Sequence, residues 1–145
     1  MNAQSKVSIV GLEPGEEIAY NTFLLGIEDS LLYYSLKYKK FLESLLGCKS
    51  SYWLAKEEGR IAGILPLMES EGPWGRVLNG LPYYGSNGGM LATDQKALAA
   101  LCAKYNELTS HADIACATLI EHPFHPLPEH QIKHDFVDER LSQFS

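Results

Sequence analysis

The sequence predicts an α+β protein: a single domain with a mostly antiparallel sheet between helices, in a three-layer α/β/α-like arrangement. Its 145 residues are 46% apolar and 21% charged, which is typical of one globular domain. Apolar residues recur with helical spacing in three segments and form strand-like runs in four others. The predicted order is two helices, three antiparallel strands, one helix and one strand, and residues 1–145 are treated as one domain.

The first helix is predicted to begin after Pro14-Gly15 and to continue through Ile18–Ile27. Glu16 and Glu17 place carboxylates in its first turn, where the helix dipole favours them. The next segment, Leu31–Tyr34, is short, apolar and aromatic, and we expect it to form a strand.

A second helix is predicted to open at Ser35, which can cap it, and to end at Gly47. Its apolar residues recur at i, i+3, i+4, i+7 and i+8, so they form one stripe that faces the core. These residues are Tyr38, Phe41, Leu42, Leu45 and Leu46.

The clearest hairpin follows, with Tyr52–Ala55 as its first strand and Arg60–Met68 as its second. Between them, Glu57–Gly59 has the short glycine-bearing form of a hairpin loop. Gly63 and Pro66 interrupt the second strand, because glycine weakens a regular ladder and proline cannot donate to it. A bulge or an edge position is therefore expected there.

A turn at Gly72–Gly75 leads to a third strand, Val77–Leu81, which Pro82 closes. After the loop Pro82–Ala92, Thr93 or Asp94 is predicted to cap a long helix. The apolar stripe of this helix consists of Leu98, Leu101, Tyr105 and Leu108.

The strand predicted after this helix, Asp113–Ile120, is mostly apolar and is expected to be buried. Beyond it, Pro123, Pro126 and Pro128 predict an irregular segment. Residues 121–145 are therefore expected to form an irregular tail.

Composition excludes several classes of function. Twelve Lys and Arg against eighteen Asp and Glu give a net charge of −6, so no sequence-wide basic field exists to hold a nucleic-acid backbone, and DNA binding is not predicted. The longest uncharged run, Val77–Thr93, contains Pro82 and four glycines and cannot span a bilayer as a helix. Residues Met1–Glu17 lack the apolar region of a secretory signal, which favours a cytoplasmic location. The three cysteines contain no C-x-x-C motif and are expected to be reduced packing residues.

The loop 83–89, Y-Y-G-S-N-G-G, lies between a predicted strand and a predicted helix. Such a loop can present backbone N–H groups and a helix terminus to a polar ligand, and its glycines allow close approach of that ligand. The alternative is a turn whose glycines supply positive φ. If the glycines serve ligand approach, valine at Gly88 or Gly89 should abolish binding and leave the fold largely intact. The spacing fits neither a nucleotide phosphate loop nor G-x-G-x-x-G.

Two other groups of residues carry possible chemistry. Glu69 and Glu71 would share one face of a strand and could act as acid and base, or they mark the point where the strand meets water. His130 and His134 have the spacing of H-E-x-x-H, but Gln131 stands where the motif has its glutamate. We therefore predict no bound metal and solvated histidines in the tail. The five histidines are His111, His122, His125, His130 and His134.

Three stretches carry a family resemblance: WLAKEEGRIAGILPL at 53–67, LNGLPYYG at 78–85 and GGML at 88–91. In this order and spacing they resemble the FemAB-like proteins, which are acyl- and aminoacyltransferases with the GNAT (acetyltransferase-like) fold. The resemblance is best over residues 35–120 and implies a GNAT-like, mostly antiparallel sheet flanked by helices. Asp138–Arg140 resembles the segment where the first half of these proteins runs into the second.

The resemblance implies that this chain is the N-terminal half of a transferase that moves an acyl or aminoacyl group to an amine of a cell-envelope precursor or a similar small-molecule acceptor. Acyl-CoA or an aminoacyl-tRNA would be the donor; the GNAT cofactor loop is not reproduced in Tyr84–Gly89, so no resident cofactor is assigned. A second GNAT-like half, or self-association, would complete the cleft. No catalytic residue is identified, and the alternative is a non-catalytic binding or subunit module that retains the fold. The implied substrate-binding residues are Tyr83, Tyr84, Gly85, Asn87, Gly88 and Gly89.

Overall fold

The computed structural model describes residues 6–80 and 88–139. Its centre is a six-stranded sheet in the order β1-β2-β3-β4-β6, with the short β5 paired to β3. Helices cover both faces, so the predicted three-layer α+β arrangement is confirmed. The strands are β1 Val7–Gly11, β2 Lys49–Glu57, β3 Arg60–Gly72, β4 Gly75–Asn79, β5 Leu91–Ala92 and β6 Ile114–Thr118; the helices are α1 Glu17–Leu25, α2 Leu36–Leu46 and α3 Gln95–Thr109.

Two of the predicted helices begin where the sequence indicates, and the first of them also ends where it indicates. The Ser35 hydroxyl accepts a hydrogen bond from the Tyr38 N–H and caps α2, and Gly47 ends that helix in the left-handed conformation. Asp94 is the cap of α3, because its carboxylate accepts hydrogen bonds from the N–H groups of Lys96 and Ala97 at 2.8 and 2.9 Å. Both helix starts therefore follow from local sequence.

The first 35 residues contain the main errors of the sequence prediction. β1 was not predicted, yet it pairs antiparallel with the outer edge of β2, from Val7 opposite Glu57 to Gly11 opposite Trp53. The prediction of a strand at Leu31–Tyr34 is wrong, because residues Leu32–Tyr34 form a 3₁₀ turn. The turn buries Tyr34 against the Tyr20 side chain, whose hydroxyl donates to the Tyr34 carbonyl oxygen at 2.8 Å, and this contact favours the turn over a strand.

β3 lies between two apolar cores. Ile64 and Met68 pack with residues of α1 and α2 on one face of the sheet, whereas Leu65 and Leu67 pack with α3 on the other. A strand buried on both faces has a nearly continuous apolar sequence, and this explains why β3 shows no alternation of polar and apolar residues.

The β2–β3 hairpin has the two-residue turn Glu58-Gly59, in which both residues have positive φ. The register then shifts: Lys56 pairs with Ile61 and Ala55 with Gly63, so Ala62 is the extra residue of a bulge. The bulge expected around Gly63 is thus present, and β3 is an inner strand of the sheet. A Cβ on Gly63 would lie 2.9 Å from Leu101 Cδ1 and 3.1 Å from the Leu91 carbonyl oxygen, so α3 and β5 require glycine there.

β4 and β5 pair with the same side of β3 but at different positions along the strand. β4 pairs with Met68–Gly72 and β5 with Gly63 and Ile64. Among the described residues, no strand pairs with Leu65–Leu67 on that side. Pro66 lies in the middle of this interval, where its missing N–H costs no hydrogen bond to β4 or β5.

β6 pairs parallel with β4, and α3 makes the crossover between them. The expectation of a buried strand is wrong here, because three of its five residues are exposed: Ala115, Cys116 and Thr118. In the described part of the chain β6 forms the outer strand of its side of the sheet, so one of its edges and much of its surface face solvent.

The cap at Asp94 gives a first test. Asp94→Ala should lower the free energy of unfolding by about 1 kcal/mol, because two N–H groups in the first turn of α3 lose their acceptor. Asp94→Ser, which can still cap, should retain most of the stability. Chemical denaturation of the three proteins measures the difference, and equal midpoints for Asp94→Ala and the wild type would contradict the assignment.

Candidate functional site

The predicted substrate-binding loop is only partly within the described residues. Tyr83, Tyr84, Gly85 and Asn87 lie outside them, and the roles predicted for these four residues stay predictions. Gly88 and Gly89 are described, and both are buried. These two glycines therefore show what surrounds the end of the loop that leads into β5.

Gly88 and Gly89 pack against protein. The Tyr34 hydroxyl donates a hydrogen bond of 2.5 Å to the Gly88 carbonyl oxygen. Gly89 has φ +90°, and a Cβ there would lie 2.7 Å from the carbonyl oxygen of Ile120 and 3.2 Å from the backbone nitrogen of His122. The expectation that valine at Gly89 would leave the fold largely intact is therefore wrong, since the space for its Cβ is occupied by backbone. Contact of either glycine with a ligand stays a prediction.

His122 lies in the same neighbourhood, and only 1% of its surface is exposed. The expectation of a solvated tail histidine is wrong for this residue. The Phe124 N–H donates to His122 Nδ1 at 3.1 Å, so Nε2 carries the proton of the neutral ring and donates to the Asp29 carbonyl oxygen at 2.8 Å. Burial lowers the pKa of His122 below its ordinary value.

A cavity of about 210 Å³ lies beside the C-terminal end of β4. The Thr118 hydroxyl donates to Asn79 Oδ1 at 2.6 Å, and the Gly80 N–H donates to the Thr118 carbonyl oxygen at 2.8 Å. These bonds fix the end of β4 to the end of β6. The cavity is lined by Leu46, Cys48, Met68, Glu69, Ser70 and Asn79.

Among the described residues, Glu69 is the one carboxylate that lines this cavity, and it is ion-paired with Arg76. Arg76 donates to Glu69 Oε2 at 3.1 Å and, through Nε, to Asp113 at 2.7 Å. The hydrogen bond from Arg76 lowers the pKa of Asp113, so this carboxylate stays ionised at neutral pH. Of the two glutamates that the sequence pairs, Glu69 lines the cavity, and Glu71 is not among its lining residues.

Cys48 also lines the cavity, but its environment opposes nucleophilic chemistry. Burial raises the pKa of its thiol, so the thiol stays protonated at neutral pH. Sequence reasoning missed Cys48, Ser70 and Asn79 as cavity residues. Asn79 carried a usable signal, because a polar residue directly before Gly80 at the end of an apolar strand is typical of a site at a strand terminus.

Within residues 6–80 and 88–139, no group of three or more His, Cys, Asp or Glu side chains is arranged to hold a metal ion. None of the described helices has both the length and the apolar character needed to cross a bilayer.

Comparisons with known proteins identify the fold. No protein-family model and no curated protein matches the sequence. Among solved structures, the chain is similar to a GNAT family acetyltransferase from Staphylococcus aureus subsp. aureus USA300_TCH1516, with a TM-score of 0.54. The likeness covers 97% of this chain and 100% of that one at 13% sequence identity. The chain has a GNAT-like fold. At this identity the likeness establishes the architecture, and the FemAB-like specificity stays a proposal.

The cavity adjoins the end of β4, whereas Gly88 and Gly89 precede β5; both strands pair with the same side of β3. A second, more open cavity lies at the opposite end of β3, beside the Glu58-Gly59 turn. The candidate functional site is therefore the cavity at the end of β4.

Gly89 provides a test of packing against ligand contact. Gly89→Ala should lower the free energy of unfolding by more than about 1 kcal/mol, because the new Cβ meets the Ile120 carbonyl and the positive φ is strained. Gly15→Ala is the matched control, since Gly15 has φ +96° but no atom within 4 Å of its Cβ position. Thermal or chemical denaturation should show a larger loss for Gly89→Ala. Equal losses for the two variants would show that the close contact with Ile120 is unimportant.

Proposed function

We propose that this chain is half of a cytoplasmic FemAB-like transferase, which moves an acyl or aminoacyl group to a primary amine of a cell-envelope precursor or a related acceptor. The GNAT-like fold and the sequence resemblance at 53–67, 78–85 and 88–91 support this proposal. The observation that carries it is the cavity at the end of β4, because it offers acceptor oxygens at the strand end that precedes the predicted substrate loop in the sequence.

The polar groups of the cavity suit an amine. The Glu69 carboxylate provides a negative charge for an ammonium group, and Asn79 Oδ1 and the Ser70 hydroxyl add hydrogen-bond acceptors. Leu46 and Met68 provide an apolar wall for the carbon chain that carries the amine. In this proposal the cavity holds the acceptor, and the loop 83–89 binds the rest of the substrate through Tyr83, Tyr84, Gly85, Asn87, Gly88 and Gly89.

The proposed reaction is acyl transfer. The ammonium first loses a proton to solvent, and the free amine attacks the carbonyl carbon of the donor. A C–N bond forms, and the C–S bond of an acyl-CoA or the C–O ester bond of an aminoacyl-tRNA breaks. The attacking nitrogen releases its second proton to give the neutral amide, and the leaving thiolate or alkoxide takes up a proton. Positioning of the two substrates, and backbone N–H groups directed at the developing oxyanion, would supply the rate acceleration.

The alternative is a binding or subunit module that retains the GNAT-like fold without catalysis. One observation favours it: at about 210 Å³ the cavity is smaller than most small-molecule sites, which enclose roughly 300–1,000 Å³. A second half or a second copy would enlarge the cleft in the transferase interpretation. The DNA downstream of the codon for Ser145 discriminates between the two, because an encoded second GNAT-like half favours the enzyme.

The role of Glu69 is tested by transfer assays with a lysine-containing peptide as amine and either acetyl-CoA or an aminoacyl-tRNA as donor. Glu69→Gln should raise KM for the amine severalfold with a smaller change in kcat, because it removes the charge that binds the ammonium. Glu71→Gln is the matched control on the same strand, and its kinetics should equal those of the wild type. Mass spectrometry of the product measures transfer.

The outcomes separate the two functions. Transfer by the chain, alone or together with a downstream half, supports the transferase. Binding of the amine without transfer from either donor supports the module. Equal KM values for Glu69→Gln and the wild type would remove the cavity at the end of β4 from the acceptor site.

A further inference from the structure

A continuous set of contacts joins four separate parts of the chain around His122. Its ring bonds the carbonyl of Asp29, in the loop after α1, and lies 5.9 Å from the ring of Tyr34, in the 3₁₀ turn. Tyr34 in turn holds the carbonyl of Gly88. The tail after β6, residues 121–125, is thereby connected to the segment that enters β5.

The hydrogen bonds of His122 require a neutral ring. Phe124 donates its N–H to Nδ1, so protonation of Nδ1 would place two N–H groups against each other in a buried position. An unpaired buried donor destabilises the folded state, and the more so when the group is charged. A protonated His122 therefore cannot keep its present contacts.

Titratable groups from three places face this ring. His125, in the same tail segment, lies 4.7 Å away between ring centroids, and a charge on it opposes a charge on His122. Asp29, from the loop after α1, acts in the opposite direction. Tyr34, from the 3₁₀ turn, stays neutral because burial raises its pKa. Burial of His122 outweighs the attraction of Asp29, so the pKa of His122 lies below 6.5.

The tail also supports Gly89 directly. A Cβ on Gly89 would lie within 3.2 Å of the backbone of Glu121 and His122, so the two segments pack main chain against main chain. If residues 121–125 leave this position, Gly89 loses the surface against which it packs. Gly88 would then keep the hydrogen bond from Tyr34, and Met90 its packing in the core beside α3, but Gly89 between them would be unsupported.

We propose that His122 is a pH-sensitive latch, whose protonation detaches residues 121–125 and loosens Gly88–Met90. The latch is fully closed well above pH 6.5, where His122 is neutral in both the folded and the unfolded chain. As the pH falls below 6.5, the unfolded or detached segment binds a proton more readily than the latched one, so the latched state loses stability until the pH passes the lower pKa of the folded protein. The proposal does not depend on the transferase function, although Gly88 and Gly89 belong to the predicted substrate loop.

Hydrogen exchange of the full chain, measured by mass spectrometry at pH 7.5 and 5.5 and corrected for intrinsic exchange rates, tests the latch. In the wild type, exchange in peptides covering residues 119–125 and 88–92 should rise severalfold at pH 5.5, and α3 should not change. His122→Gln cannot be charged, so these peptides should show no dependence on pH. His130→Gln, at an exposed tail position, is the matched control and should respond like the wild type.

One further variant and the remaining outcomes decide whether His122 is the titrating group. His125→Gln should keep the pH response; its loss would show that His125 is the titrating group and would overturn the proposal. No pH response in the wild type, or a full response in His122→Gln, would also overturn it. If His122→Gln opens the tail at both pH values, the NMR titration of the His122 ring in the wild type decides, because a pKa at or above 6.5 contradicts the latch. No donor or acceptor is present in these measurements, so failure of the proposed function cannot imitate failure of the latch.

Discussion

The burial of β3 on both faces is the constraint on which the rest of this structure depends. The strand separates two apolar cores, one closed by α1 and α2 and the other by α3. It also provides the pairing partner for β2, β4 and β5. Burying apolar area on both faces of one strand is the main source of stability in such a layered domain, so each neighbouring element is placed by where it covers or pairs with β3.

The pairing of both β4 and β5 with β3 leaves an interval between these two strands. Two strands share one side of β3 without meeting, and Pro66 lies at the position that neither of them reaches. β4 ends at Asn79, and β5 begins at Leu91. Gly88 and Gly89, which lead into β5, are anchored by Tyr34 and by the backbone near His122. The candidate cavity lies at the other strand end, beside Met68 and Asn79.

The glycines show why local sequence leaves a functional question open. A glycine that allows a ligand to approach the backbone and a glycine that allows another backbone to approach have the same local signature, because both lack only a Cβ. Gly63 and Gly89 are of the second kind, since the neighbours of their Cβ positions are Leu91 and Ile120 of the same chain. The histidines show the same limit: His122 is buried and His130 is exposed, although both lie in one irregular segment.

The sequence by itself determined the elements that depend on local contacts: the helix caps at Ser35 and Asp94, the Glu58-Gly59 turn and the hairpin around it. It also identified Glu69, Gly88 and Gly89 as residues worth examining. The pairing of β1, the 3₁₀ turn at Leu32–Tyr34, the exposed β6, and the cavity formed by Cys48, Ser70 and Asn79 were decided only by the tertiary structure. The physical reason is distance along the chain. A cap or a turn is stabilised by bonds within a few residues, whereas an edge strand or a cavity is stabilised by residues tens of positions away.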